Sequence, residues 1–206
     1  MAATIINGTA IAKEIREKAA EDTAKLVADA YAPPGLATVL IGPDPASEVY
    51  VGMKQRTCAR LGIQSFGREL TADATHEDVE NVVKELNADP LVNGILVQLP
   101  LPKHLDEESI LRTISERKDI DGFHPLNIGR LAQKGREPLF VPCTPDGCMY
   151  LLEKTGIEFE GANAVVLGRS NIVGMPAALL LVKRNAVSYT HLRAHETNDL
   201  ISYDVF

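Results

Sequence analysis

The residues best suited to chemistry begin at Ser47-Glu-Val-Tyr50-Val-Gly-Met-Lys54, just after the turn-rich Gly42-Pro-Asp-Pro45. On a helix opened by Ser47, Tyr50 and Lys54 lie one turn apart and share a face, setting an aromatic plate beside an amine. That pairing suits catalysis on a flat, nitrogen-rich substrate. The blander reading is an exposed helix with a solvated lysine.

Three further positions could join them. Gln98 ends an apolar run, where open α/β sheets place their ligands, although an amide there can also serve only loop backbone. Asp121 sits in the charged loop Lys118-Asp-Ile-Asp121-Gly-Phe-His-Pro125, where Arg117 or Lys118 could simply neutralise it. The segment Gly168-Arg169-Ser170-Asn-Ile-Val-Gly174 joins an apolar run to a helical one, an arrangement that aims helix-start amides at a phosphate. It departs from GxGxxG in having Ser170, preceded by Arg169, where the second glycine falls, so a tight turn that binds nothing stays open. If a dinucleotide binds, the planar fork of Arg169 favours the form with a 2′-phosphate. His124, before Pro125, reads as a structural loop residue. Cys58, Cys143 and Cys148 read as small apolar fillers, with neither a CxxC pair nor a disulfide framework among them.

Composition narrows the classes. The 206 residues are 45% hydrophobic and 24% charged, enough for a substantial core. With 21 basic and 28 acidic residues the net charge is -7, and the charges are interspersed, which argues against a nucleic-acid footprint. No apolar run approaches a membrane span, and the N-terminus lacks a signal-peptide pattern, so a cytoplasmic protein is expected.

The elements that must position these residues alternate. Ile11, Ile15, Ala19, Leu26 and Val27 give a helix from Thr9 a single apolar stripe, and Leu36–Ile41 reads as a strand buried on both faces of a parallel sheet. The helix of Tyr50 and Lys54 ends at Gly62, Ile63–Leu70 follows as the second strand of a strand, helix, strand, helix, strand order, and Thr75 with Asp78 opens another helix. Val92–Leu99 is the next strand, Leu99-Pro-Leu-Pro102 leaves it stiffly, and a short helix spans Glu107–Ser115. Pro138–Val141 looks strand-like. Thr144 caps a helix with Pro145 at its first position. Ala164–Leu167 is a buried strand, and Ala177–Val182 a helix. The pattern is α/β.

With those residues laid out, the chain resembles the bifunctional methylenetetrahydrofolate dehydrogenase / methenyltetrahydrofolate cyclohydrolase family. The matching stretches are Pro45 to Lys54, Gly94 to Pro102, Lys118 to Pro125, and Gly168 to Pro176 following Pro142-Cys-Thr-Pro145, in family order. The resemblance implies an N-terminal three-layer α/β folate domain over 1–143, then an incomplete Rossmann-like NADP-binding domain over 144–187. It implies oxidation of 5,10-methylenetetrahydrofolate with NADP+ and hydrolysis of the methenyl product to 10-formyltetrahydrofolate, by a homodimer. By that resemblance Tyr50 stacks on the aminobenzoyl group, Lys54 is the acid/base of hydrolysis, Gln98 holds Lys54, and Asp121 anchors the pterin nitrogens. Gly168, Arg169 and Ser170 receive the cofactor.

The likeness is read as stopping at Val187. Residues 188–206 look foreign to the family, and Ser188 to Thr197 resembles translated adapter DNA, so a truncated or artefactual gene model is expected. Halting a parallel sheet that early should leave an open edge and an uncovered apolar face, with disorder or aggregation beyond about Gly161. A competing outcome is a folate-binding fragment that performs hydrolysis only, or no catalysis. His191 and His195, four apart with Glu196 adjacent, are weighed as a metal pair and set aside for want of a third ligand.

Overall fold

A computed structural model describes residues 5–192 of the chain, without the side chains of 188–192. The described residues divide into two compact units: residues 7–120, and residues 121–192 together with 5–6.

In the first unit, α1 (Gly8–Ala28) leads to β1 (Gly35–Ile41), α2 (Pro45–Leu61), β2 (Gln64–Leu70), α3 (His76–Ala88), β3 (Gly94–Val97) and α4 (Glu107–Thr113). The strands form a parallel sheet in the order β2-β1-β3. The central strand is almost wholly buried, as its unbroken apolar run predicts. Alternation sorts its side chains. Ala37, Val39 and Ile41 join Ile95 and Val97 of β3, Val79, Val83 and Leu86 of α3 and Ile110 of α4 in one core. Thr38, Leu40 and Leu96 have the opposite parity, and on that face Gln55 of α2 reaches the Thr38 hydroxyl at 3.4 Å. Helix, sheet and helix are therefore stacked, with α2 over one face of the sheet and α3 and α4 over the other.

Helix starts follow local chemistry. Thr75 and Asp78 form the expected capping box of α3. For α2 the cap is Asp44, whose carboxylate accepts from the Ser47 amide at 2.8 Å, with Pro45 in the first turn. Ser47 is thus inside the helix and not at its start. Gly62 ends it in the left-handed conformation, φ 74°. The α1 stripe stays open: Ile15, Leu26 and Val27 are 48%, 42% and 46% exposed, and Thr23 is its buried residue.

The second unit contains α5 (Pro125–Leu131), α6 (Cys143–Lys154), β4 (Asn163–Leu167), α7 (Gly174–Lys183) and β5 (Val187–Leu192), with β4 and β5 paired in parallel. Leu131, Met149, Leu180, Leu181 and Ala186 form its core. Because α5 contributes Leu131 to that core, the division between units falls after Ile120, ahead of the Pro142-Cys-Thr-Pro145 segment. Pro138–Val141 is not a strand, and α6 starts at Cys143, so Thr144 lies within it and caps nothing. The strand β4 is also not buried as expected: Val165 and Leu167 are 59% and 55% exposed. Residues 163–192 nevertheless form strand, helix and strand, and β5 continues past Val187.

Candidate active site

Lys54 owes its place to the face of α2. Ser47, Val51 and Cys58 are that helix's buried residues, and Lys54 falls on their stripe, so a half-buried amine stands where an apolar side chain would ordinarily pack. Gln98 owes its place to strand parity. It follows Val97, which faces α3, and so leaves on the side of Leu96 and α2. Its backbone N–H still donates to Val39 C=O at 2.9 Å, which holds it to the sheet.

The two side chains meet. Lys54 Nζ donates to Gln98 Oε1 at 3.0 Å, and Gln98 Nε2 donates to Leu99 C=O at 2.8 Å. The second bond fixes the amide's orientation, because only its NH2 end can donate to a carbonyl, which leaves the oxygen for the lysine. Tyr50 stands one turn before Lys54 with its side chain 54% exposed, a ring open to a ligand. Cys58 lies deeper on the same stripe, and burial pushes its thiol up, which keeps it an unreactive filler. The expectation does not hold for Cys143 and Cys148, which are exposed. A cleft of about 700 Å³ runs along α2 beside β2, lined by Glu48, Gln55, Glu69 and Thr71, apart from Lys54 and Gln98.

Asp121 is the first residue of the second unit, and it is half-buried. Lys118 does not neutralise it, since all three ammonium protons of Lys118 go to backbone carbonyls of the first unit. His124 is the N-cap of α5, its Nδ1 accepting from the Leu126 N–H at 3.2 Å, a structural role as expected.

In the turn after β4, Gly168 has φ 128° and open space where a Cβ would project. A Cβ on Gly174 would lie 2.4 Å from Gly168 C=O, so the turn closes this tightly only with glycine there. Arg169 and Ser170 are exposed. The Ser170 hydroxyl accepts from the N–H groups of Val173 and Gly174, each at 3.2 Å. The first amides of α7 are therefore already capped by Ser170, a use of that hydroxyl that spacing alone does not reveal. The glycine surface, the exposed guanidinium and the hydroxyl suit a phosphate-bearing nucleotide.

Among the described residues no group of three His, Cys, Asp or Glu side chains could hold a metal ion. His195 and the side chain of His191 lie outside the described residues. No described helix is long and apolar enough to cross a membrane.

Comparison with known proteins agrees with both units. Residues 6–121 match the family described as tetrahydrofolate dehydrogenase/cyclohydrolase, catalytic domain, and residues 142–204 match its NAD(P)-binding domain, a match that runs beyond Val187. The chain is 51% identical over 199 residues to the chloroplastic bifunctional protein FolD 4 of Arabidopsis thaliana, covering 96% of this chain and 55% of that protein. It is 46% identical over 200 residues to bifunctional protein FolD of Magnetococcus marinus, covering 97% and 70%. Its fold superimposes with a TM-score of 0.91 and 37% identity on the Trypanosoma brucei N5,N10-methylenetetrahydrofolate dehydrogenase-cyclohydrolase, solved with NADP and an inhibitor, covering 97% of this chain and 68% of that one. Against the Arabidopsis relatives, this chain spans between about half and two thirds of their length. An α/β chain with parallel sheets, matched along nearly its whole length by such relatives, belongs to the tetrahydrofolate dehydrogenase/cyclohydrolase family.

Proposed function

We propose that the protein oxidises 5,10-methylenetetrahydrofolate with NADP+ and hydrolyses the 5,10-methenyl product to 10-formyltetrahydrofolate. The observation that carries this reading is the Lys54–Gln98 hydrogen bond at the carboxyl end of β3, with the Tyr50 ring one turn away. The methenyl carbon is cationic and so open to attack by water. Lys54 takes a proton from the attacking water and passes it to the departing nitrogen, and the remaining hydroxyl proton leaves to solvent as the formyl C=O forms. Gln98, its own amide fixed by Leu99, keeps Nζ in line for that transfer. Tyr50 supplies a stacking face for the aminobenzoyl ring, and Asp121 accepts from the pterin N–H groups.

The second unit fits a Rossmann-like domain, with Gly168 letting a pyrophosphate approach the backbone and Arg169 meeting the 2′-phosphate that separates NADP+ from NAD+. NADP+ supplies the hydride acceptor. Alignment is then the protein's part of the oxidation. A homodimer fits β2, an exposed edge strand of the three-stranded sheet with hydrogen-bonding groups open along one side.

A second reading has its own observation. The exposed Val165 and Leu167 of β4 leave one face of the nucleotide unit bare, which favours a chain that hydrolyses methenyltetrahydrofolate, or only binds folate, without seating the nicotinamide. One experiment separates these outcomes: the protein is mixed with methylenetetrahydrofolate and NADP+ while reduced cofactor is followed, and methenyl hydrolysis is followed separately. Both signals support the bifunctional reading, hydrolysis alone the second, and absence of folate binding overturns both.

A further inference from the structure

The helix α3 ends at Ala88 with no basic residue in its last turn. Its final carbonyls have no partners within the helix and carry the negative end of its dipole. A cation from far along the chain fills that place. Lys118 Nζ donates to the C=O groups of Leu86, Asn87 and Asp89 at 3.2, 2.8 and 2.8 Å, which uses every proton of the ammonium. Asn87 reinforces the junction, donating from Nδ2 to Thr113 C=O at 2.7 Å and accepting at Oδ1 from the Ser115 N–H at 2.9 Å.

The other side of the same segment is fastened to β3. Ile95 N–H donates to Lys118 C=O at 2.7 Å, and Asp119 pairs with Ile95 as a parallel bridge. Ile120 lies over Gly94, where a Cβ would come within 2.3 Å of its Cγ2. Lys118 is thus the point where α3, through the side chain, and β3, through the backbone, hold one short run of chain. The run ends at Ile120, and the next residue is Asp121.

We infer that Lys118 is a positioning residue for Asp121: it sets the register in which the chain delivers the carboxylate. This rests on Asp121 as a folate contact. A carboxylate that must meet a planar array of N–H donors tolerates errors of only about 0.5 Å, so the clamp acts on recognition and not merely on stability.

The test uses the full chain with Lys118→Met, which keeps the aliphatic stem and removes the donors. Amide exchange should quicken at Ile95 and Ile120, whose N–H groups both bond to Lys118 C=O. Tetrahydrofolate should bind about tenfold more weakly, with KM for methenyltetrahydrofolate raised and kcat within about twofold, because Lys54 and Gln98 are untouched. Loss of folded protein alone would instead lower kcat and spare KM. In an Asp121→Asn background, Lys118→Met should add less than about twofold, since a residue that acts through another has little left to lose. Lys118→Arg should restore part of the binding. Independent, multiplying losses from the two substitutions overturn the inference. So does unchanged exchange at Ile95 and Ile120, a readout that needs no ligand and still judges the clamp if the unaltered chain binds no folate. Should Lys118→Met not fold, Lys118→Gln carries the same cycle.

Discussion

The strand β1 has a hydrogen-bonded neighbour on each side and helices over both faces, and six of its seven residues are buried. Among the described residues β4 has one neighbour, β5, and its side chains alternate between half-buried and exposed. The two sequences, Gly-Leu-Ala-Thr-Val-Leu-Ile and Asn-Ala-Val-Val-Leu, differ little in apolar character. Burial of a parallel strand therefore comes from what lies beside and above it. The contrast also divides the chemistry. On the proposed reading, the groups for proton transfer stand in a helix-sheet-helix unit covered on both faces, and the groups for nucleotide binding in one with a bare face.

The largest expected effect sharpens that division. Lys54→Met should reduce methenyl hydrolysis by about 10²- to 10⁴-fold, the usual contribution of a positioned acid or base, while tetrahydrofolate binding stays measurable. Hydrolysis followed by absorbance checks this, and an unchanged rate removes Lys54 from its role. Next comes packing. Ile110 is fully buried in the first core, and Ile110→Ala should cost about 2–5 kcal/mol. Val165→Ala, on the bare face of β4, should change stability by no more than about 0.5 kcal/mol. Denaturant unfolding of the two variants tests the comparison directly. A comparable cost for Val165→Ala would mean that something covers β4 in solution, and the contrast between the units would collapse.

Which features were legible in the sequence follows the same line. Tyr50 and Lys54 share a face through spacing alone, whereas the pairing of Gln98 with Lys54, 44 residues apart, came only from the family resemblance. The Asp78 capping box and the Gly62 cap were as local as that spacing. Ser47 was misread as the start of α2 because Asp44, followed by Pro45, is a stronger cap three residues earlier. Pro138–Val141 and Thr144 were misread because propensity is weak where prolines already govern the backbone. The exposure of β4, the Leu131 contact that moves the unit boundary, and the three carbonyls held by Lys118 all depend on residues distant in sequence, and no window on the chain contains them.

The nucleotide unit offers a smaller effect. Arg169 is exposed beside the Gly168 turn, and Arg169→Ala should weaken NADP+ by about tenfold while leaving NAD+ within about twofold, because the lost fork serves the extra phosphate. Titration with both nucleotides decides it. Equal weakening would place Arg169 elsewhere in the site, or show that the bare unit does not discriminate.

The smallest expected effect concerns acid. Hydrogen bonds from the Ser47 hydroxyl and amide hold the Asp44 carboxyl below its ordinary value of 3.8, and the hydroxyl and amide of Thr75 do the same for Asp78. Neither α6 nor α7 has a side-chain cap from its N-cap residue, so these carboxylate caps belong to the first unit. A group whose pKa is lower in the folded state contributes stability that is fully present above its unfolded value. That contribution disappears as pH falls through the folded value, so α2 should fray at its start below about pH 3.8. Asp44→Asn keeps an oxygen for the Ser47 amide and removes the charge, since asparagine caps helices as well as aspartate does. Amide exchange at Ser47 should then be nearly unchanged at neutral pH and should lose its acid dependence in that variant. If the protection of the Ser47 amide, relative to its intrinsic exchange rate at each pH, does not fall down to pH 3 in the unaltered chain, the Asp44 carboxylate does not hold the start of the helix that carries Lys54.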